Sequence, residues 1–218
     1  MELSRMPSVA ELSRYDVNRR GMEEGVKQSL YDFQAWGASG VGVTQYNFFQ
    51  VPVGQSSKTK ADTNMTNAGM LPAPQAFLVQ SIEVYFQPAG EIMRILSAAT
   101  DVDAWSDDMN AALYGVGYLE LTIGSKPYLT EAPLIRFPPK TKLRGNFAIA
   151  ETAAATNGHF MDLSQAEGRP YFIDPPLLIP ATQNFNVQIN FPTAITLPSA
   201  GNARIGVVLD GILYRLSQ

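Results

Sequence analysis

Residues 185–191, FNVQINF, alternate without a fault between large apolar side chains and carboxamides. Successive side chains of a strand point to opposite faces, so Phe185, Val187, Ile189 and Phe191 share one face and Asn186, Gln188 and Asn190 the other. This is a half-buried strand of an antiparallel sheet, with a core on one side and a polar surface on the other. Pro192 and Pro198 frame the turn region that follows. The next apolar run, Arg204–Leu216 (RIGVVLDGILYRL), reads as a final strand bent near Gly211.

The same signal recurs upstream. Val43–Val51, VTQYNFFQV, is rich in aromatic and β-branched residues and stops at Pro52. Ala76–Gln87, AFLVQSIEVYFQ, places Leu78, Ile82, Val84 and Phe86 on one face and Phe77, Val79 and Tyr85 on the other. A strand apolar on both faces is predicted to be covered on both, by a second sheet or by a neighbouring subunit. Val116–Ile123 and a short Leu134–Phe137, closed by Pro138 and Pro139, complete the expected strands. Within 91–113 a short helix is expected through Trp105, Met109 and Leu113, capped by Asp101 or Asp103.

Two regions differ. In residues 1–36, Ser8–Glu11 spell a capping box, and Met22, Val26, Leu30 and Phe33 recur at helical spacing. Gly21 and Gly25 weaken a continuous helix. The expectation is an N-terminal arm over 1–36, partly helical, ahead of one β-domain over 37–218. Residues 54–74 are polar and turn-rich, and a loop this long in a compact domain marks an interaction surface or a mobile segment. Residues 145–168 read as a second, small and polar surface excursion. One internal echo, PYLTEAPLI (127–135) and PYFIDPPLL (170–178), reads as two similar Pro-rich approaches to strands.

Composition narrows the function classes. Charged residues are 17% of the 218, against about a quarter in an average soluble domain. A surface this poor in charge is expected to be covered in part by partners; a neutral extracellular domain is the plainer alternative. The net charge of −4 supplies no clustered Lys and Arg for phosphates. There is no cysteine, which excludes disulfides and thiolate metal sites. No apolar run resembles a signal peptide or reaches the roughly 18 residues of a spanning helix, so synthesis in the cytoplasm without a leader is expected.

Chemistry-bearing patterns are sparse. The single histidine, His159, sits in a Gly- and Asn-rich stretch with no partner singled out. No phosphate-binding loop, dinucleotide fingerprint or nucleophile elbow is present. The acidic group Asp101, Asp103, Asp107 and Asp108 lacks the Gly and the closing Glu of an EF-hand loop, and helix capping explains it more simply. Neither catalytic residues nor a cofactor or metal site are expected.

The runs PPLLIPATQNFNVQINFP and RIGVVLDGILYRL, with the earlier YLELTIGSKPYLTEAPLIRFPP, resemble in pattern the closing strands of jelly-roll major capsid proteins of icosahedral bacteriophages. The likeness covers about the last hundred residues and rests on style, not on an invariant motif. It implies a mainly β fold: a jelly-roll sandwich of two antiparallel sheets with long loops, a short internal helix and the N-terminal arm. The length suits a single jelly roll better than a double one. It implies a self-assembling subunit, forming trimers or pentamers that tile a closed shell in the virion beside other virion proteins. On that reading Arg19, Arg20, Phe33 and Trp36 of the arm, and Lys58, Lys60, Met65 and Met70 of the long loop, are the candidate subunit contacts. The alternative is a non-catalytic binding module, such as a phage spike or lectin-like adhesin domain.

Overall fold

The computed structural model describes residues 24–37, 41–87, 108–140, 144–148, 160–164, 169–197 and 203–215. Among these residues ten strands run in chain order: β1 (Glu24–Ala35), β2 (Val43–Phe48), β3 (Ala76–Gln87), β4 (Tyr118–Ile123), β5 (Lys126–Glu131), β6 (Arg144–Ala148), β7 (Phe160–Ser164), β8 (Tyr171–Ile179), β9 (Phe185–Ile195) and β10 (Arg204–Arg215). Eight of them form two four-stranded antiparallel sheets, β1-β10-β3-β8 and β2-β9-β4-β5; β6 and β7 pair separately as a hairpin. The fold is therefore a mainly β sandwich, as expected.

Setting β6 and β7 aside, the pairing has a simple rule. The first strand lies beside the last (β1–β10), the second beside the next to last (β2–β9), the third beside β8, and β4 beside β5. The sandwich is one long hairpin rolled so that alternate strand pairs fall in opposite sheets. Cross-pairings β10–β3 and β4–β9 close each sheet.

The core lies between the inner faces. From β9 come Phe185, Val187, Ile189 and Phe191, as the alternation requires, joined by Leu119, Leu121 and Ile123 of β4 and by Ile205, Val207, Leu209 and Leu213 of β10. Trp36, just past β1, ties the sheets together. Its ring meets Phe86 edge-on at 5.7 Å on one sheet, and Tyr46 at 5.3 Å and Phe191 at 5.7 Å on the other. The Tyr46 hydroxyl accepts the Gly37 N–H at 3.0 Å, and burial pushes its pKa up to about 12.

Three sequence expectations change. Residues 24–35 form no helix; they are strand β1, paired residue for residue with β10. The helix-like spacing of Val26, Leu30 and Phe33 yields to sheet hydrogen bonding, and the strand belongs to the sandwich, so the 36/37 boundary cuts through a single unit. Residues 1–23 of the expected arm lie outside the described residues. Leu134–Phe137 is no strand but a 3-10 turn, Leu134–Arg136. Leu134 and Phe137 are both buried, and three-residue spacing places them on one side of such a turn. Finally, β3 does not present alternating faces throughout. Ser81 pairs with Asp210 and Val79 with Gly211, which leaves Gln80 as an extra residue. This bulge reverses the alternation. Phe77 and Val79 before it, and Ile82, Val84 and Phe86 after it, all enter the one core. Leu78 turns to the opposite face and forms a smaller cluster with Ala76, Leu178, Ile212 and Tyr214.

The helix expected within 91–113 is present as 108–114, π-helical over Asn110–Tyr114, and buries Met109, Ala112 and Leu113. Its expected caps Asp101 and Asp103, and Trp105, lie outside the described residues. The 145–168 region, read as loop, contains strands β6 and β7. The echoing segments fall on β5 and β8, in different sheets.

Candidate functional site

Three surfaces of the sandwich bear on function. The first is one of its ends. Ala35 of β1 lies opposite Arg204 of β10, which lies opposite Gln87 of β3; in the other sheet Val43 lies opposite Ile195. The strand ends joined by the connections 36–42, 88–117, 132–170 and 196–203 therefore all lie at this end. Exposed large apolar side chains concentrate here. Val41 is 55% exposed, Tyr114 59% and Val116 63%, each in one of these connections, and Phe172 lies at the start of β8. The opposite end has the tight turn at 124–125, the short connection 180–184 and the folded-back segment 49–75.

The second surface is that segment. It returns along β1 and covers its open edge. The Phe33 N–H donates to the Asp62 carbonyl at 2.7 Å, the Tyr31 N–H to Asn64 Oδ1 at 3.1 Å, Asn64 Nδ2 to the Ser29 carbonyl at 2.8 Å, and Thr63 Oγ1 to the Tyr31 carbonyl at 3.1 Å. Asp32 fixes the arrangement. Its fully buried carboxylate pairs with the Lys58 ammonium and accepts the Phe49 N–H at 2.7 Å. Phe49 has φ +67°, a left-handed conformation that a bulky residue adopts only when held there. Burial raises the Asp32 pKa, outweighing Lys58 and the hydrogen bonds that lower it. Asp62 behaves in the opposite sense: the Thr59 N–H holds its carboxyl below the usual value despite some desolvation, with help from the Thr59 hydroxyl and the Arg204 and Lys58 charges.

The other edges of the two four-stranded sheets also carry obstacles to strand pairing. Proline occupies both edge strands on the far side, Pro127 in β5 and Pro175 and Pro176 in β8, and Lys126 adds a charge on β5. On β2 the Asn47 carbonyl is taken by the Gln34 side chain. Such devices oppose edge-to-edge strand addition.

The third surface is the outer face of the β2-β9-β4-β5 sheet. Register brings Gln45 beside Asn190 and Tyr118, and Asn47 beside Gln188, Glu120 and Thr130. Asn47 Oδ1 accepts from Gln188 Nε2 at 2.7 Å and from Asn186 Nδ2 at 3.3 Å. The face is a row of neutral amides and hydroxyls, and Glu120 is its one carboxylate among the described residues.

Of the predicted contact residues, Arg19 and Arg20 lie outside the described residues. Trp36 and Met65 are buried in the chain's own core, so neither side chain reaches the surface. Phe33 is half-buried over Gly206, where a Cβ would come within 2.2 Å of its ring; Arg204 lies 5.3 Å above that ring, beside Tyr85. Lys58 is committed to Asp32. Lys60 is exposed, with its carbonyl accepting the Tyr31 hydroxyl at 2.5 Å, and Met70 is half-buried. Sequence reasoning did not single out Val41, Tyr114, Val116 or Phe172; their signal was apolar character inside turn-rich stretches. Among the described residues no group of His, Asp and Glu side chains forms a metal site. Asp108 is buried; Asp101, Asp103, Asp107 and His159 lie outside the described residues.

Compared with known proteins, the chain matches no family model, no curated protein and no solved structure.

Proposed function

We propose that this chain is a non-catalytic structural subunit that assembles with copies of itself into a closed shell, as a virion capsid protein does. The observation that carries the reading is the strand order. We read a hairpin rolled so that first strand meets last, and second meets next to last, as the connectivity of a single jelly roll, the fold that the sequence resemblance implies. Two further features support it. Val41, Tyr114 and Val116 are all exposed in the connections at one end of the sandwich, and exposed apolar surface marks contact sites. The closed edges leave ends and faces, not strand addition, as the routes for association.

A standard interface buries about 800 Å² per partner, and closed symmetry limits its growth. Burying a valine contributes about 1.5 kcal/mol, so a charge at the same position weakens association by more than about tenfold. The test is light scattering and negative-stain microscopy of the purified chain and of Val116→Glu. The expected result is discrete oligomers or particles for the native chain, and a shift towards monomer for the variant at unchanged melting temperature. A native chain that stays monomeric at high concentration, or a variant that assembles like the native one, refutes the proposal.

A further inference from the structure

The outer face of the β2-β9-β4-β5 sheet is unlike the surface an assembling subunit uses to grip another protein. Protein interfaces draw their affinity from buried aromatic and aliphatic anchors. The centre of this face is carboxamides: Gln45 and Asn47 on β2, Asn186, Gln188 and Asn190 on β9. Each carboxamide offers two N–H donors and a carbonyl acceptor, and none carries charge. That matches the hydroxyls of a sugar, which also donate and accept without charge.

The amides are held in advance. Asn47 Oδ1 fixes both Gln188 and Asn186, and Gln50 Nε2 reaches Asn186 Oδ1 at 3.4 Å while donating to the Phe185 carbonyl at 2.9 Å. The bonds to Asn47 use one N–H each of Gln188 and Asn186 and leave the second of each for a ligand. Fixing side chains before binding lowers the ordering cost of the complex. Strands lie about 4.8 Å apart, close to the length of one pyranose residue. A linear chain laid across the sheet therefore meets one strand per sugar. At the β5 edge of the same sheet Tyr128, the unpaired residue of a bulge, is 47% exposed with the Lys126 ammonium 5.0 Å from its ring centre, and its exposed remainder is an aromatic surface for the apolar face of a sugar ring.

We propose that this face binds a linear, uncharged glycan lying across β2, β9 and β4, with Asn47 and Gln188 as its central hydrogen-bonding residues and Tyr128 as a stacking residue. This goes beyond assembly and does not depend on it.

The experiment is isothermal titration calorimetry of the full chain with cellohexaose, xylohexaose, chitohexaose and maltohexaose. It is repeated with Asn47→Ala, Gln188→Ala, Tyr128→Ala and a distant control on β1, Lys27→Ala. The expected result is binding of at least one of these by the native chain and by Lys27→Ala, weakened at least tenfold in Asn47→Ala and Gln188→Ala. Asn47→Asp keeps the acceptor for Gln188 and Asn186 but loses both donors; it is expected to lose binding too, and serves if the alanine variant does not fold. Native protein that binds none of the four, or amide variants that bind as the native chain does, overturns the proposal. Light scattering on the same samples separates the alternative: an Asn47→Ala variant that loses self-association while no sugar binds would give the face to a second copy, and would overturn it equally.

Discussion

Replacing Lys58 by alanine is the sharpest probe of how the 49–75 segment is held. Asp32 has no exposed side-chain area and Lys58 retains 12%, so water screens the pair little. Removing one partner of a buried pair costs about 3–5 kcal/mol, because the other charge stays behind uncompensated. The Phe49 N–H still supports the carboxylate, which places the loss near the lower end, about 3 kcal/mol at about pH 7. The loss depends on pH with a definite sign. The folded-state pKa of Asp32 is already above its usual 3.8, so the folded chain binds this proton more readily than the unfolded one, and the contribution of Asp32 to stability falls as pH rises above that value. Without the ammonium the folded pKa climbs further and the interval widens. The Lys58→Ala deficit is therefore expected to be largest near neutrality and to shrink towards about pH 4. Urea unfolding followed by tryptophan fluorescence reads it, since Trp36 is buried between the sheets. The double variant Asp32→Asn with Lys58→Met removes both charges, keeps an acceptor for the Phe49 N–H, and is expected within about 1 kcal/mol of the native chain. A Lys58→Ala loss below about 1 kcal/mol at neutral pH, or one that does not change on acidification, would refute the account of the clamp.

Two further variants test the frame around it. Asp62→Asn removes a carboxylate whose pKa is lowered; it is expected to cost about 1 kcal/mol near neutrality, and the difference from native should vanish as pH falls below 3.8 and through the lowered folded value, as read by thermal melts across acidic pH. Gly211→Ala would place a Cβ 1.9 Å from the Leu78 carbonyl oxygen, inside the sheet at the β3 bulge; the strand must shift, at a cost of about 2–3 kcal/mol in chemical denaturation, and a native-like midpoint would show that the bulge moves freely.

How far the sequence reveals this molecule depends on where a strand's partners lie. β9 is legible because one face meets the core and the other meets water, so its letters alternate as its burial does. The limits of β3 at Ala76 and Gln87 are equally plain. Its facing is not, because one unpaired residue, Gln80, exchanges the two faces, and no local letter marks it. β1 is hidden for a different reason. Its partner β10 lies almost the whole chain away, and Leu30 and Phe33 carry a spacing that also suits a helix. Among surfaces, the carboxamide face is visible in FNVQINF itself. The apolar end is not, since Val41 and Val116 lie in separate connections and reach one end of the sandwich only through the pairing of distant strands. Lys58 and Met65, reasonable contact candidates by composition, turn inward because Asp32 and the core claim them first.

The union of β1 with β10 has a temporal cost. A chain leaving the ribosome displays β1 long before its mate exists, and the intervening strands wait with it, since the β2–β9 and β3–β8 unions also reach far ahead. Such distant closures make folding slow and leave half-finished chains open to aggregation. Within the two four-stranded sheets, among the described residues, the β4–β5 hairpin with its short turn at Gly124 is the pair whose members are both available early. Maturation of this sandwich is therefore expected to start at its middle, zip outward through β9 and β8, and finish at the seam where the first strand meets the last.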